Sequence, residues 1–287
     1  MIINETYELA NGVKIPKLGL GTWLLNDEET ARAVEDAVRI GYRHIDTAQA
    51  YENEKGAGTG IEKCGIPREE IFVTTKIRAE FKSYESVAAS VDESLRKLNT
   101  GYADLIIIHS PQPWQEFRAE GNRYFTENRE AWRALEDAYK AGKAKAIGLS
   151  NFLQDDLENI LASCKVRPMV DQVLCHVSNT PFALIEFCRK NGIQVEAYSP
   201  VAHGAILKQR EVCSIAEKYH VSAAQLCLKY DLQLGTVVLP KTANPDHMKN
   251  NADLDFTIAD ADMDILKGID KIKDYGRDKD FPVFAKG

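Results

Sequence analysis

Apolar and β-branched residues gather in eight short runs along this chain, at 17–21, 42–46, 71–76, 103–109, 145–149, 169–173, 193–198 and 236–239. Each run has the length and the bounding turn residues of a buried strand. Stretches of helical periodicity separate them, at 28–40, 54–64, 84–98, 129–141, 153–161, 182–190 and 222–234. Ahead of the first run, residues 7–16 read as a hairpin turning at Asn11-Gly12. An extra helix is expected near 208–219, between the seventh and eighth strands, and another helical pattern lies at 262–271, after the eighth. Eight strands alternating with helices predict an α/β fold of the (β/α)8 TIM-barrel type, which takes about 250 residues. The whole chain, 1–287, then forms one barrel domain with an N-terminal β-hairpin and extra helices.

The rival is a doubly wound sheet with a Gly-x-Gly-x-x-Gly turn after a strand. Gly56-Ala-Gly-Thr-Gly60 has the wrong spacing and sits in a helical pattern. Gly19-Leu-Gly21 follows a strand but runs on into Thr22-Trp23. The longest strand-to-strand intervals follow strands four and seven. The first contains 110–128, rich in Pro, Gln, Asn and aromatic residues, which suits a loop over a site.

Composition narrows the partners. The net charge is −7 and no basic stripe stands out, so nucleic acid and anionic membrane are not expected. No run reaches the length of a membrane span. The first residues lack the basic and apolar regions of a secretory leader. Six cysteines without metal-ligand spacing read as reduced thiols of a cytoplasmic protein.

Three of the runs end on groups that hold charge or move protons: Asp46, Lys76 and His109. Burying such groups along a strand is costly. The C-terminal rim of a parallel barrel is where ligands bind. The same rim collects Thr22 and Trp23, Tyr51, Ser150 and Asn151, Gln172, Tyr198, Ser199 and Pro200, and Lys241 and Thr242. A carbonyl that accepts hydride needs a proton. Tyr51 could give one, though a free phenol has a pKa of about 10. Lys76 nearby would favour the phenolate, Asp46 would hold Lys76, and His109 would polarise the carbonyl. Plainer readings stand beside these: a buried ion pair for Asp46 and Lys76, a core histidine for His109, a loop aromatic for Tyr51. The coincidence of all four argues for chemistry.

These residues carry a resemblance. Gly19-Leu-Gly-Thr-Trp23, Gly41-Tyr-Arg-His-Ile-Asp-Thr-Ala48 with Tyr51-Glu-Asn-Glu54, Ile71-Phe-Val-Thr-Thr-Lys76, Gly142-Lys-Ala-Lys-Ala-Ile-Gly-Leu-Ser-Asn-Phe152, Ala197-Tyr-Ser-Pro200 and Leu239-Pro-Lys-Thr242 occur in order. Along nearly its whole length the chain resembles the aldo-keto reductases, in particular small bacterial members such as the diketo-gluconate reductases. The resemblance implies an NADPH-dependent reductase of aldehydes and ketones. Tyr51 would be the general acid, supported by Asp46 and Lys76, with His109 orienting the carbonyl. The cofactor would lie against Gly21, Thr22, Trp23, Asp46, Ser150, Asn151, Gln172, Tyr198, Ser199 and Pro200. Lys241 and Thr242 would meet its 2′-phosphate, and His247, Asn250 and Asn251 would complete the cofactor site. The substrate would touch Trp23, Tyr51, His109, Ser110 and Trp114.

The chain departs from the family pattern in places. His247 stands where the family has an arginine and Asn250 where it has a glutamate, which leaves NADH as a possible cofactor beside NADPH. Ser110 replaces a pocket-wall ring after His109, with Trp114 a candidate substitute. The tail ending Phe281-Pro-Val-Phe-Ala-Lys-Gly287 is short, as in bacterial members of broad carbonyl specificity. No metal is expected, since the six histidines form no His-x-His strand motif. A small carbonyl compound is the expected partner and a monomer the expected state. The rival functions are an NADPH-binding regulatory relative with little turnover and a metal-dependent hydrolase.

Overall fold

The computed structural model describes residues 1–272, Tyr275 and residues 282–286; Phe281 and Gly287 of the short tail lie outside the described residues. The chain opens with an antiparallel hairpin, β1 (Thr6–Glu8) and β2 (Lys14–Pro16), in which Tyr7 faces Ile15. Gly12 in its turn has φ 85°, a left-handed value that suits glycine. Leu9 and Ile15 are buried in one cluster with Leu105, Ile107 and Val237, so the hairpin plugs one end of the barrel. Burying a side chain such as Ile15 contributes roughly 1.5–3 kcal/mol.

Eight parallel strands follow in sequence order: β3 (Leu20–Gly21), β4 (His44–Asp46), β5 (Phe72–Ile77), β6 (Ala103–Ile108), β7 (Ala144–Ser150), β8 (Val170–Leu174), β9 (Gln194–Tyr198) and β10 (Val237–Leu239). The ring closes through two parallel bridges, Leu18 to Val238 and Gly21 to Lys241. The first strand is therefore shorter than the expected 17–21. At Gly19 the chain passes so close to Leu239 and His44 that a Cβ would collide with both.

Helices surround the ring: α1 (Asp27–Ile40), α2 (Glu54–Lys63), α3 (Tyr84–Lys97), α4 (Phe125–Lys140), α5 (Gln154–Leu161), α6 (Phe182–Lys190), α7 (Arg210–Lys218), α8 (Ala223–Gln233), α9 (Pro245–Ala252), α10 (Asp260–Lys267) and α11 (Pro282–Lys286). The glycines of α2 serve packing. A Cβ at Gly56 would meet the Asp27 carbonyl, at Gly58 the Leu98 carbonyl and at Gly60 the Ala31 carbonyl. Helix α4 begins four residues earlier than its periodicity predicts. Polar Asn128 lies inside it because its amide donates to the Pro111 carbonyl (2.8 Å) and accepts from Lys82 (2.9 Å). Helix α10 ends at Lys267, short of the expected 271. No described helix is long and apolar enough to cross a membrane.

Register places the site. Side chains alternate along a strand, and the pairings Lys76–Ile107, Ile107–Gly148, Ser150–Gln172, Gln172–Glu196 and Tyr198–Leu239 put residues of one parity on a common face. Leu105, Ile107, Val237 and Leu239 of that parity pack together in the interior. Residues of the other parity, such as Ile106 and Ile108, pack with the α3 and α4 side chains Val91 and Leu135. The interior face thus becomes polar towards the strand C-termini: Asp46, Lys76, Ser150, Gln172 and Glu196.

Candidate active site

Asp46 ends β4, Lys76 is the last residue but one of the adjacent β5, and both are buried on the same face. Lys76 Nζ donates to Asp46 Oδ1 (2.5 Å), to the Thr47 carbonyl (3.0 Å) and to the Tyr51 hydroxyl (3.2 Å). Burial works against the ammonium, but Asp46 and Tyr51 outweigh it, and the Lys76 pKa is raised. Tyr51 sits in a single helical turn, Gln49–Tyr51, after β4. Gln49 anchors that turn by donating to the Ser90 carbonyl (3.0 Å) and Ser94 (2.9 Å). Asn53 anchors its far side by donating to the carbonyls of Thr22 (2.8 Å) and Leu25 (2.9 Å).

Burial outweighs the expected lowering of the Tyr51 pKa by Lys76. Burial raises it, the Lys76 charge pulls down, and Asp46 adds to the rise. Tyr51 therefore keeps its proton at neutral pH, while Lys76 stays in place to meet a phenolate. The His109 ring lies edge-on to Tyr51 at 5.6 Å and to Trp114 at 5.0 Å. Burial, helped by the Lys76 charge, holds the His109 pKa well below 6.5. It is a neutral imidazole whose Nδ1 has no hydrogen-bond partner among the described residues.

Tyr51, His109, Trp23, Trp114, Ser150, Asn151, Gln172, Tyr198 and Ser199 line a cavity of about 320 Å³. A second cavity of about 370 Å³ shares Trp23, Tyr51, Tyr198 and Ser199 with it and runs on past Gly21, Thr22, Asp46 and Pro200 to Lys241. The two make one groove across the rim. Asn151 has φ 62°, which asparagine tolerates better than most residues. Its amide donates to the His109 carbonyl (2.9 Å) and accepts from the Tyr198 hydroxyl (2.6 Å). Ser150 donates to the Gln172 carbonyl (2.8 Å).

The Gln172 amide nitrogen donates to Asp46 Oδ2 (2.9 Å) and Glu196 Oε2 (3.0 Å). Both its N–H bonds are thereby used. The amide oxygen accepts from none of the described residues, and Gln172 lines the cavity. That free acceptor fits a carboxamide donor such as the nicotinamide amide. Glu196 was not singled out from sequence. It is fully buried, and burial first and Asp46 second raise its pKa to about 8. His44 beside it is held neutral by burial, with its pKa down at about 3, so their 3.7 Å approach is no ion pair.

The remaining expected residues divide. Trp114 does line the first cavity, while Ser110 is buried away from it, its carbonyl taken by Lys82 at 2.8 Å. Ser110 is therefore part of the loop's fastening rather than of the pocket wall. Lys241 lines the second cavity. Thr242 does not, and its hydroxyl accepts from the Asn244 amide at 3.0 Å. His247 and Asn250 are exposed on α9, and Asn251 is buried in it; none of these three lines the groove. Sequence reasoning also passed over Arg78, Val283 and Phe284, which line the first cavity. Counting two residues on from Lys76 along the same face would have found Arg78, and two back from Tyr198 would have found Glu196. Val283 and Phe284 carry no comparable signal. Among the described residues, no three His, Cys, Asp or Glu side chains converge on one point.

A parallel barrel with an Asp–Tyr–Lys–His constellation at its rim defines a class. The chain belongs to the aldo/keto reductase family, whose model matches residues 17–271. It is 39% identical over 284 residues to a glyoxal reductase of Bacillus subtilis, covering 98% of this chain and 99% of that protein. Among solved structures it is similar to an aldo/keto reductase from Brucella melitensis, at TM-score 0.85 and 38% identity over 92% of this chain and 98% of that one. A Bombyx mori aldo-keto reductase in complex with NADP matches at TM-score 0.86 and 30% identity over 98% of both chains.

Proposed function

We propose that this protein reduces aldehydes and ketones to alcohols with NADPH, using Tyr51 as the general acid. The observation that carries the reading is the Tyr51 hydroxyl, 3.2 Å from a buried ammonium and in a cavity shared with His109. NADPH, when bound, supplies the hydride. Everything else falls to the chain. The neutral His109 ring donates an N–H to the substrate carbonyl and fixes its direction. Tyr51 gives its proton as charge builds on the substrate oxygen. The phenolate left behind is stabilised by Lys76, which Asp46 and the Thr47 carbonyl hold in position.

The Gln172 amide oxygen, Ser150 and Asn151 suit the nicotinamide carboxamide, and Tyr198 suits the ring. Lys241 suits the 2′-phosphate. With His247 in place of an arginine, NADPH is preferred over NADH by a narrow margin. Small carbonyl compounds are the substrates, and the glyoxal reductase name of one relative makes α-dicarbonyls the first to try. The same reading makes the chain a single-domain cytoplasmic enzyme acting as a monomer.

The test follows NADPH absorbance with glyoxal or nitrobenzaldehyde, with and without chelator. Chelator-insensitive oxidation is expected, and Tyr51→Phe should slow it about 10²–10⁴-fold while NADPH binding persists. Turnover that survives in Tyr51→Phe would sink the assigned role. Binding without turnover over a broad carbonyl panel would favour a regulatory protein instead.

A further inference from the structure

We propose that Arg78 forms an anion subsite in the first cavity and selects carbonyl substrates that carry a carboxylate. The inference rests on the reductase reading and deepens it. Arg78 lies two residues beyond Lys76 and lines the cavity that holds Tyr51 and His109. Trp23, Trp114, Val283 and Phe284 give the same cavity apolar surface.

The turn that carries Tyr51 also fixes Arg78. Its backbone N–H donates to Gln49 Oε1 (2.9 Å), and Nη2 donates to the Gln49 carbonyl (3.3 Å) and to Glu52 Oε1 (3.0 Å). Among the described residues Nε and Nη1 have no acceptor, which leaves three N–H bonds for a ligand. The guanidinium is half-buried, whereas its partner Glu52 is 77% exposed. That ion pair is solvent-screened and weak, and a substrate carboxylate has donors to take without breaking it. Glu80 lines the same cavity and opposes an anion. Its carboxylate accepts from the Trp114 amide at 3.4 Å, and its side chain is exposed, so water screens that repulsion.

The test compares 4-carboxybenzaldehyde with benzaldehyde. Charge-assisted contacts of this kind decide about a tenfold preference. In Arg78→Met the carboxylate-to-neutral ratio of kcat/KM should fall about tenfold. Arg78→Lys should recover part of it. Glu52→Gln, which removes the exposed competitor, should raise the ratio a few-fold. Benzoate and benzamide binding, followed by tryptophan fluorescence, gives a readout that needs no turnover. Arg78→Met should weaken benzoate about tenfold relative to benzamide. An unchanged substrate ratio or unchanged benzoate binding in Arg78→Met overturns the subsite. Failure of every aldehyde with the unaltered protein counts against the reductase reading instead, while benzoate binding still decides the subsite.

Discussion

The two ends of the groove are built on opposite terms. At the chemical end the Asp46–Lys76 pair is buried and answered: Asp46 Oδ1 by Lys76, Asp46 Oδ2 by Gln172, Lys76 by three oxygens. At the Lys241 end the side chains face water. Lys241, His247 and Asn250 are exposed, and Lys241 alone of the three lines the cavity. Desolvation explains the contrast. A buried charge without partners costs several kcal/mol, so the interior admits one arrangement. An exposed cation has no such demand, and it acts on a ligand through a screened field. Geometry governs the first end, and net charge governs the second.

Lys76→Met should break that contrast most severely. It leaves the Asp46 carboxylate buried with no cation, which destabilises a fold by roughly 3–5 kcal/mol. Denaturant midpoints measure this loss. Adding Asp46→Asn to Lys76→Met should restore most of the stability and none of the turnover. A double variant as unstable as the single one would show that packing, not charge, holds these strands together.

The same contrast governs what could be read from sequence. Strand ends with a charge after an apolar run stand out, because burial forbids such residues elsewhere; Asp46, Lys76 and His109 were legible for that reason. Eight runs with helical intervals were enough for the barrel. The support beneath the tetrad was less visible. Gln49 and Asn53 look like ordinary loop residues until the turn they tie down is seen. Glu196 reads as one polar position in a strand until its spacing from Tyr198 is counted, and the register with Gln172 and Val237 puts it in the interior. Phe284 reaches the cavity through long-range packing against Trp23 and His203, with ring centroids 5.9 and 4.4 Å away. The net rise in the Tyr51 pKa was also hidden, since residue types alone do not weigh burial against one neighbouring charge.

Glu196 gives a pH test of the buried end. Its folded pKa is about 8 against an ordinary 4.5. Below pH 4.5 the carboxyl is protonated in the folded and unfolded chain alike, and the site carries no pH dependence. Between 4.5 and about 8 the folded chain holds a proton that the unfolded chain releases. Stability therefore falls as pH rises through this window, by an amount of a few kcal/mol in total. His44 is neutral throughout, and Asp46, Lys76 and Gln172 are the other polar neighbours. Glu196→Gln removes the titration, so its melting temperature should gain on the native chain from pH 5 to pH 8.5. A constant difference across that range would mean that the carboxyl is not titrating in this window.

The smallest expected effects belong to the exposed end. Lys241→Met should weaken NADPH about tenfold, a loss that shrinks as salt is raised, because the lost contact is a solvent-facing cation on a phosphate. NADH, which lacks that phosphate, should barely respond. His247→Arg should tighten NADPH a few-fold and leave NADH unchanged, because a guanidinium is permanently charged and forked where imidazole is neither. Helix α9 starts at Pro245, with Asn244 capping it by accepting from the Asp246 amide at 2.9 Å. An arginine at 247 is therefore carried by a fixed first turn and needs no change of backbone. The cofactor ratio of kcat/KM reads both substitutions. If Lys241→Met lowers NADPH and NADH alike, the contact is with a part that both share, and the 2′-phosphate must be held elsewhere. If His247→Arg leaves the ratio untouched while Lys241→Met changes it, α9 is a surface helix and Lys241 alone sets cofactor choice at this end.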